Sequence, residues 1–363
     1  MIKKIIFVHL LNDYSGSPKV LSQVIRVVQK NGCETELYTG KSQDGFLSGV
    51  SERRHHYFYK RFENKYFTFA TFILSQVILF FKLLKHRNED VVIYVNTMLP
   101  FGAGLAGGLM GKPVYYHVHE TSLTPASFKH FLRIIIRKTA SKVIFVSQAI
   151  KEVEFFEKLP QKVVYNALPA NFMSIALKSK YRHLIDEKFN VIMICSLRAY
   201  KGVDEIVEVA CLCQNTSHIK FTLVLNAGQS EIDAYFQEKI LPSNLELVSR
   251  QKDLAPFYAK TSLLLNLSRV DQWVETFGLT IVEAMAFGVP VIVPPVGGPA
   301  EIVQNGKEGY LISSYDTERV AKIIIELSQD EEKYMFLSKT ARKRAEDFKE
   351  SLFEKKIIEA ICE

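Results

Sequence analysis

Apolar residues in this chain follow two rhythms. Short, almost unbroken apolar runs alternate with segments in which they recur every third or fourth position. The run KKIIFVHLL leads through the loop DYSGSP into VLSQVIRVVQKNG. There Val20, Leu21, Val24, Ile25, Val27 and Val28 make one helical stripe, and Gly32 supplies a stop. ETELYTG, VVIYVNT, PVYYHVH, KVIFVS and KVVYNA read as further strands. Helical stretches separate most of them, among them the small-residue segment FGAGLAGGLMG. Strands that are apolar throughout are buried on both faces, and helices between them make the sheet parallel.

The same grammar restarts after a polar, irregular stretch over 168–190. VIMICSL, KFTLVLN, LELVS, SLLLNLS, VPVIVPP and YLIS read as strands, with YKGVDEIVEVACLC as the helix after the first of them. The expected fold is α/β: two doubly wound, Rossmann-like domains facing across a cleft. Residues 1–170 form the first domain, 171–345 the second, and 346–363 a C-terminal helix packing back towards the first. Ligands of such sheets bind at the C-terminal ends of the strands. A length of 363 residues suits two ordinary cores.

The net charge of +7 favours an anionic partner without choosing among nucleotide, phospholipid and nucleic acid. The basic residues do not cluster with an RNA-binding motif, which argues against nucleic acid. Cys33, Cys195, Cys211, Cys213 and Cys362 are scattered among apolar neighbours, as reduced thiols of a cytoplasmic protein are. Cys211 and Cys213 lack a second ligand pair for zinc. The start MIKKIIFVHLL has no small-residue cleavage site and reads as a buried strand. The longest apolar segment, FTFATFILSQVILFFKLL over 67–84, is interrupted by Ser75, Gln76 and Lys82, and reads as a buried or surface-lying helix rather than a transmembrane one.

Chemistry concentrates in VETFGLTIVEAMAFGVPVIV. A helix is expected to start within 276–279 and to end at Gly288. Its N-terminus offers unsatisfied N–H groups and the positive end of the dipole, a ready anion site. Gly278 lets a phosphate or sugar approach the backbone. Glu275 lies just before this helix. Glu283 lies inside it among Ile281, Val282, Ala284, Met285 and Ala286, an apolar setting unlike a solvated face. A carboxylate there suits vicinal hydroxyls such as those of ribose. In HVHET, alternation puts His117 and His119 on one side of a strand and Glu120 on the other. A histidine pair suggests a metal, but no third ligand stands at a useful spacing.

The pair E-x7-E followed by EAMAFGVPVIV, GGPAEIV and GKEGYLI resembles the retaining glycosyltransferases of family 4, which have the GT-B fold. The loop at 15–17, VYNALP, SLRAYKGVDEIVE and LAPFYAKTSLLLNLS match further segments of that family, in order along the whole chain. The resemblance implies a nucleotide-sugar donor, UDP- or GDP-linked, held mainly by the second domain. It implies neither a cofactor nor a metal. Glu283 would bind the ribose hydroxyls and Glu275 the donor sugar. The backbone of Thr276, Phe277, Gly278 and Leu279 would hold sugar and diphosphate, with Lys201 neutralising the latter. The family has an arginine five positions before that lysine, where this chain has Ser196. Arg198 is either its substitute or a surface residue. In the first domain Gly16 would face the donor, and His119 would meet its sugar, with His117 as second choice. Asn166 is either a turn residue or a hinge contact. The implied reaction transfers a sugar with retention of anomeric configuration, the leaving diphosphate itself taking the acceptor proton.

Residues 53–87 mix arginine, lysine and aromatic residues with the long apolar run. They are read as a docking region for an anionic membrane, with 53–65 at the interface and the run from Phe67 onward in the core. The expectation is a peripheral enzyme on the inner face of the plasma membrane. It would act on a lipid-linked glycan in cell-surface polysaccharide synthesis. The alternatives are a GT-B epimerase or hydrolase of nucleotide sugars and a non-enzymatic nucleotide-binding protein. The loop SGSPKV lacks the G-x-G-x-x-G spacing of a nicotinamide oxidoreductase.

Overall fold

The computed structural model describes residues 2–41, 44–180 and 182–362, with Cys362 described in its backbone only. The chain divides into two compact units, Met1–Asn166 with Phe353–Glu363, and Ala167–Leu352.

The first unit is built on β1 (Lys4–His9), β2 (Glu34–Gly40), β3 (Arg53–Tyr57), β4 (Val92–Asn96), β5 (Val114–Val118), β6 (Lys142–Phe145) and β7 (Gln161–Val163). The strand order is β3-β2-β1-β4-β5-β6-β7, and all pairings are parallel. Its helices are α1 (Gly16–Lys30), α2 (Lys65–Leu83), α3 (Phe101–Leu109), α4 (Ala126–Thr139) and α5 (Gln148–Val153). Every residue of β4 and β6 is buried, as predominantly apolar strands of a sheet covered on both faces require.

In the second unit α6 (Ala170–Lys178) precedes β8 (Phe189–Cys195), α7 (Val203–Leu212), β9 (Ile219–Leu225), α8 (Gln229–Phe236) and β10 (Leu245–Val248). Then follow α9 (Ala255–Tyr258), β11 (Leu263–Leu265), α10 (Leu279–Ala286), β12 (Val291–Val293), α11 (Gly298–Ile302) and β13 (Gly309–Leu311). The parallel sheet runs β10-β9-β8-β11-β12-β13. Helices α12 (Thr317–Gln329) and α13 (Glu331–Ala345) follow. The last helix, α14 (Glu350–Cys362), belongs to the first unit from Phe353 onward. The helical region after the last strand begins at Thr317, capped by Asp316.

One expectation for 53–87 fails. Arg53–Tyr57 is the edge strand β3, parallel to β2. Its charges answer β2: Arg53 pairs with Glu34, and His55 Nε2 lies 3.0 Å from Glu36 Oε2. The helix after it is not a core helix. Within α2 only Phe72, Ser75, Gln76, Leu79 and Leu83 are buried, while Phe67, Leu74, Val77 and Phe81 are exposed. Two of the three residues that interrupt its apolar run, Ser75 and Gln76, therefore point inward, while Lys82 is exposed. The reason is α3: the Gly102 N–H donates to Gln76 Oε1 at 3.2 Å, and a Cβ on Gly102 would lie 2.2 Å from the Gln76 carbonyl oxygen. The small residues of α3 admit the α2 backbone so closely that a polar side chain is satisfied there.

Candidate functional site

In the second unit β8 and β11 are neighbours, and the turns at their C-terminal ends pack backbone against backbone. Gly202, in the left-handed region at φ 84, would place a Cβ 2.2 Å from the Leu267 carbonyl oxygen. This close approach lets Lys201 meet Glu275, 74 positions later. Lys201 Nζ lies 2.6 Å from Glu275 Oε2, with both side chains largely covered. The ammonium also lies 4.9 Å from the ring of Trp273, which stacks on Tyr200 with centroids 5.3 Å apart. Asp204 does not face Lys201. It pairs with Lys239 and, at 3.3 Å, with Arg269, which also holds Glu205 at 2.5 Å.

Helix α10 begins one residue after Gly278, which sits at φ 95, and the chain turns out of it at Gly288, at φ 74. Two glycines fix the loop that leads into it. A Cβ on Gly297 would lie 2.5 Å from the Glu275 carbonyl oxygen, and one on Gly298 would lie 2.4 Å from Phe277 Cα. The Gly298 N–H donates to that same Glu275 carbonyl at 2.9 Å. Thr276 and Leu279 are half-buried at the mouth of α10. Phe277 turns its ring inward against Phe348, 5.6 Å away, so it can offer a ligand only its backbone. Glu283 is 3% exposed and accepts a hydrogen bond from the Tyr258 hydroxyl at 2.8 Å. Burial, and then the charge of Glu283, hold the Tyr258 pKa well above the usual value, so Tyr258 stays a donor. The side chain of Arg198 is exposed, and no hydrogen bond or ion pair joins it to Lys201 or Glu275 among the described residues.

In the first unit the strand ends gather a second group. Gly16 is exposed as the first residue of α1, and Ser15 before it donates to Asp13 Oδ1. His119, just past β5, is half-buried, and its Nε2 lies 2.9 Å from Asn96 Oδ1. The Nδ2 of Asn96 donates to the Ser17 carbonyl at 3.3 Å and lies 3.1 Å from His9 Nδ1. A carbonyl only accepts, so the Asn96 amide is oriented and His119 must carry its proton on Nε2. His117 is buried, its Nδ1 lying 2.8 Å from the Tyr94 hydroxyl and its ring 4.3 Å from that of His119. Burial lowers the pKa of His9 to about 4 and that of His117 to about 3. His119 is held well below its usual value by burial and then by His117 and His9. Burial pushes Glu120 up to about 7 against the backbone N–H groups of Met98 and His119 that it accepts from. Asn166 is buried, and its Oδ1 has no partner among the described residues.

The second unit thus brings together Lys201, Glu275, the 276–279 turn and Glu283, and leaves the side chain of Arg198 outside their bonds, its carbonyl alone accepting from the Lys201 N–H at 2.9 Å. Trp273, Tyr258, Gly297 and Asn96 escaped the sequence reading. Trp273 carried a signal, being the single tryptophan two positions before Glu275. Among the described residues one group of acids and histidine is close enough to hold a cation: Glu36, His86 and Glu89. Lys4 already lies 2.7 Å from Glu36 and 2.5 Å from Glu89, which makes it an ion-pair network.

Residues 14–168 match the model of Glycosyltransferase Family 4, and residues 177–344 that of Glycosyl transferases group 1. The chain is 29% identical over 309 residues to N-acetyl-alpha-D-glucosaminyl L-malate synthase of Bacillus anthracis, across 79% of this chain and 78% of that one. It is 24% identical over 289 residues to the capsular polysaccharide biosynthesis glycosyltransferase CapM of Staphylococcus aureus, covering 73% and 74% of the two chains. Among solved structures, HepE of Anabaena in complex with UDP and glucose superposes with a TM-score of 0.79 at 22% identity over 99% of each chain. The two parallel sheets with their helices are those of the GT-B fold.

Proposed function

The chain belongs to glycosyltransferase family 4, and from there we propose that it moves a sugar from a nucleotide-sugar donor to a lipid-linked glycan acceptor, with retention of configuration and without a bound metal. The observation that carries this reading is the pair of differently committed carboxylates around α10. Glu283 is buried and held by Tyr258, whereas Glu275 stands at the helix mouth on Lys201. A buried, oriented carboxylate suits the vicinal hydroxyls of ribose. The one at the mouth suits the hydroxyls of the donor sugar. Between them the N–H groups at the start of α10 point at the position of the diphosphate.

The chemistry follows from charge. Breaking the bond between sugar and diphosphate builds negative charge on the leaving oxygens. Lys201 and the α10 N-terminus meet that charge, which is the electrostatic stabilisation that dominates such steps. The acceptor hydroxyl attacks from the face the diphosphate leaves, and its proton passes to a diphosphate oxygen. No basic side chain is then needed next to the acceptor. His119, neutral with its proton on Nε2, orients the donor sugar from the first unit. A role for UDP is supported by its presence in the HepE complex, and a role in surface polysaccharide by the likeness to CapM.

The test is a thermal-shift panel of UDP-, GDP- and dTDP-sugars, followed by two variants. Glu283→Ala weakens donor binding by about tenfold to a hundredfold, the loss of a hydrogen bond to a charged group. Glu275→Ala lowers turnover more than binding. Donor consumed at full rate without any acceptor makes the protein a hydrolase or epimerase instead. Nucleotide binding with no turnover makes it a binding protein. Unchanged activity in both variants removes the site assignment.

A further inference from the structure

Helix α2 breaks the rule that the helices of a doubly wound unit bury their apolar side. With the turn that follows it, it is long and apolar enough to cross a membrane, yet only 28% of its apolar window is buried. It crosses nothing, because β3 before it and β4 after it lie in one sheet. At 3.6 residues per turn, Phe67, Ala70, Leu74, Val77 and Phe81 fall in one line. All five are exposed, Phe67 and Phe81 to 65% each. The helices beside it add Leu105 and Leu109 of α3 and Phe131 of α4 to the exposed apolar surface. A seam of rings, Phe69, Phe72, Phe101, Phe128 and Phe131, joins the three helices into one layer.

Cations border this surface at both ends. Lys60, Arg61 and Lys65 precede the stripe, Lys82, Lys85 and Arg87 close it, and no Asp or Glu occurs from residue 64 to 88. Lys60 and Lys65 lie over the rings of Phe62 and Tyr66, at 5.0 and 5.4 Å.

We propose that this face, rather than the loop and strand of 53–65, seats the protein on an anionic bilayer, with α2 in the headgroup plane and its apolar line directed into the acyl boundary. The charge chooses the occupant. A second copy packed on the same line would set Lys65 against Lys65 in parallel, or against Lys82 and Lys85 in antiparallel. Anionic headgroups neutralise both ends at once. An apolar line with aromatic residues and basic borders is the composition that partitions into an interface. The inference deepens the reading of a membrane-borne acceptor by naming the surface that reaches it.

Flotation of the full chain with vesicles tests it, in an assay that contains neither donor nor acceptor and so does not depend on sugar transfer. The wild type floats with vesicles of mixed phosphatidylglycerol and phosphatidylcholine, and binds pure phosphatidylcholine at least about tenfold more weakly. Leu74→Glu and Phe81→Glu each lower binding to the mixed vesicles at least about tenfold. Their positions are exposed, so melting temperature and donor binding stay as in the wild type. Three results overturn the proposal: a wild type that stays in solution with the mixed vesicles at low salt, variants that float as well as the wild type, and a wild-type dimer that Leu74→Glu converts to monomer while flotation is unchanged. If flotation behaves as stated and no sugar is transferred, the glycosyl-transfer reading fails and the docking face stands.

Discussion

Gly297→Ala isolates what holds Glu275 in place. Gly297 has φ 73 and ψ −154, a region open essentially to glycine alone, and an alanine there costs about 1–3 kcal/mol of backbone strain. The new methyl would lie 2.5 Å from the Glu275 carbonyl oxygen and 2.7 Å from Val274 Cγ1. An ordinary contact needs about 3.4 Å, so this carbonyl must retreat by about 0.9 Å. The retreat stretches the 2.9 Å bond from the Gly298 N–H, worth about 1 kcal/mol more. Together these lower the melting temperature of the second unit by roughly 4–16 °C, at about 2–4 °C per kcal/mol. The loop that moves carries Glu275, and a shift near 1 Å at a positioned group costs about a hundredfold in rate. The assay is initial rate with the donor the panel selects, alongside a melting curve. Gly306→Ala is the matched control: it has φ 79 but open space where the methyl would go, so it loses stability through strain and keeps its rate. A Gly297→Ala enzyme within about twofold of the wild-type rate, or a Gly306→Ala enzyme equally slow, refutes the argument that this glycine positions Glu275.

Two further predictions concern the first unit. Asn96→Asp puts a charge beside His119 Nε2 and two acceptors face to face at Ser17, so the acid limb of the kcat/KM profile moves to higher pH while donor affinity in the second unit holds; a pH profile identical to wild type refutes the role given to Asn96. The His9 and His117 rings have folded pKa values of about 4 and about 3, below the unfolded value, so their stabilisation is present above pH 6.5 and is lost as pH falls. From pH 6.5 to 5 each loses about 2 kcal/mol. Glu120, raised to about 7, gains a similar amount over that range, leaving a net loss of about 2 kcal/mol to which His119 adds. Urea unfolding at the two pH values measures this, and a first unit as stable at pH 5 as at pH 6.5 refutes it.

Some of this molecule was legible in the sequence, for reasons that differ by element. Strands such as β4 and β6 announce themselves because both faces are buried and all but one terminal position of each is apolar. Edge strand β3 is built from Arg53, Arg54, His55 and His56, and its logic lies in Glu34 and Glu36 across the ladder. Such a pairing has no local signal until the register is known. Helix α2 was recognisable as a helix, but apolarity on all sides says nothing about which side is covered. The candidate positions in the site were legible because Glu283 stands among apolar residues and Gly278 before a helix start. Their bonds were not. The Tyr258 that holds Glu283 lies 25 positions away, and the partner of Glu275 lies 74 away.

The inward-facing Ser75 and Gln76 have a consequence for how α2 is specified. A helix apolar on every side has no hydrophobic preference for one rotation about its axis over another. Gln76 supplies the preference: turned outward it would lose the Gly102 N–H and leave that buried donor without its acceptor. The phase of α2 is thus set by a polar residue in its middle, Gln76, through a hydrogen bond that only one rotation permits. Its outer line is then released from any duty to the core, and Phe67, Leu74, Val77 and Phe81 are free to be chosen by what lies outside the protein.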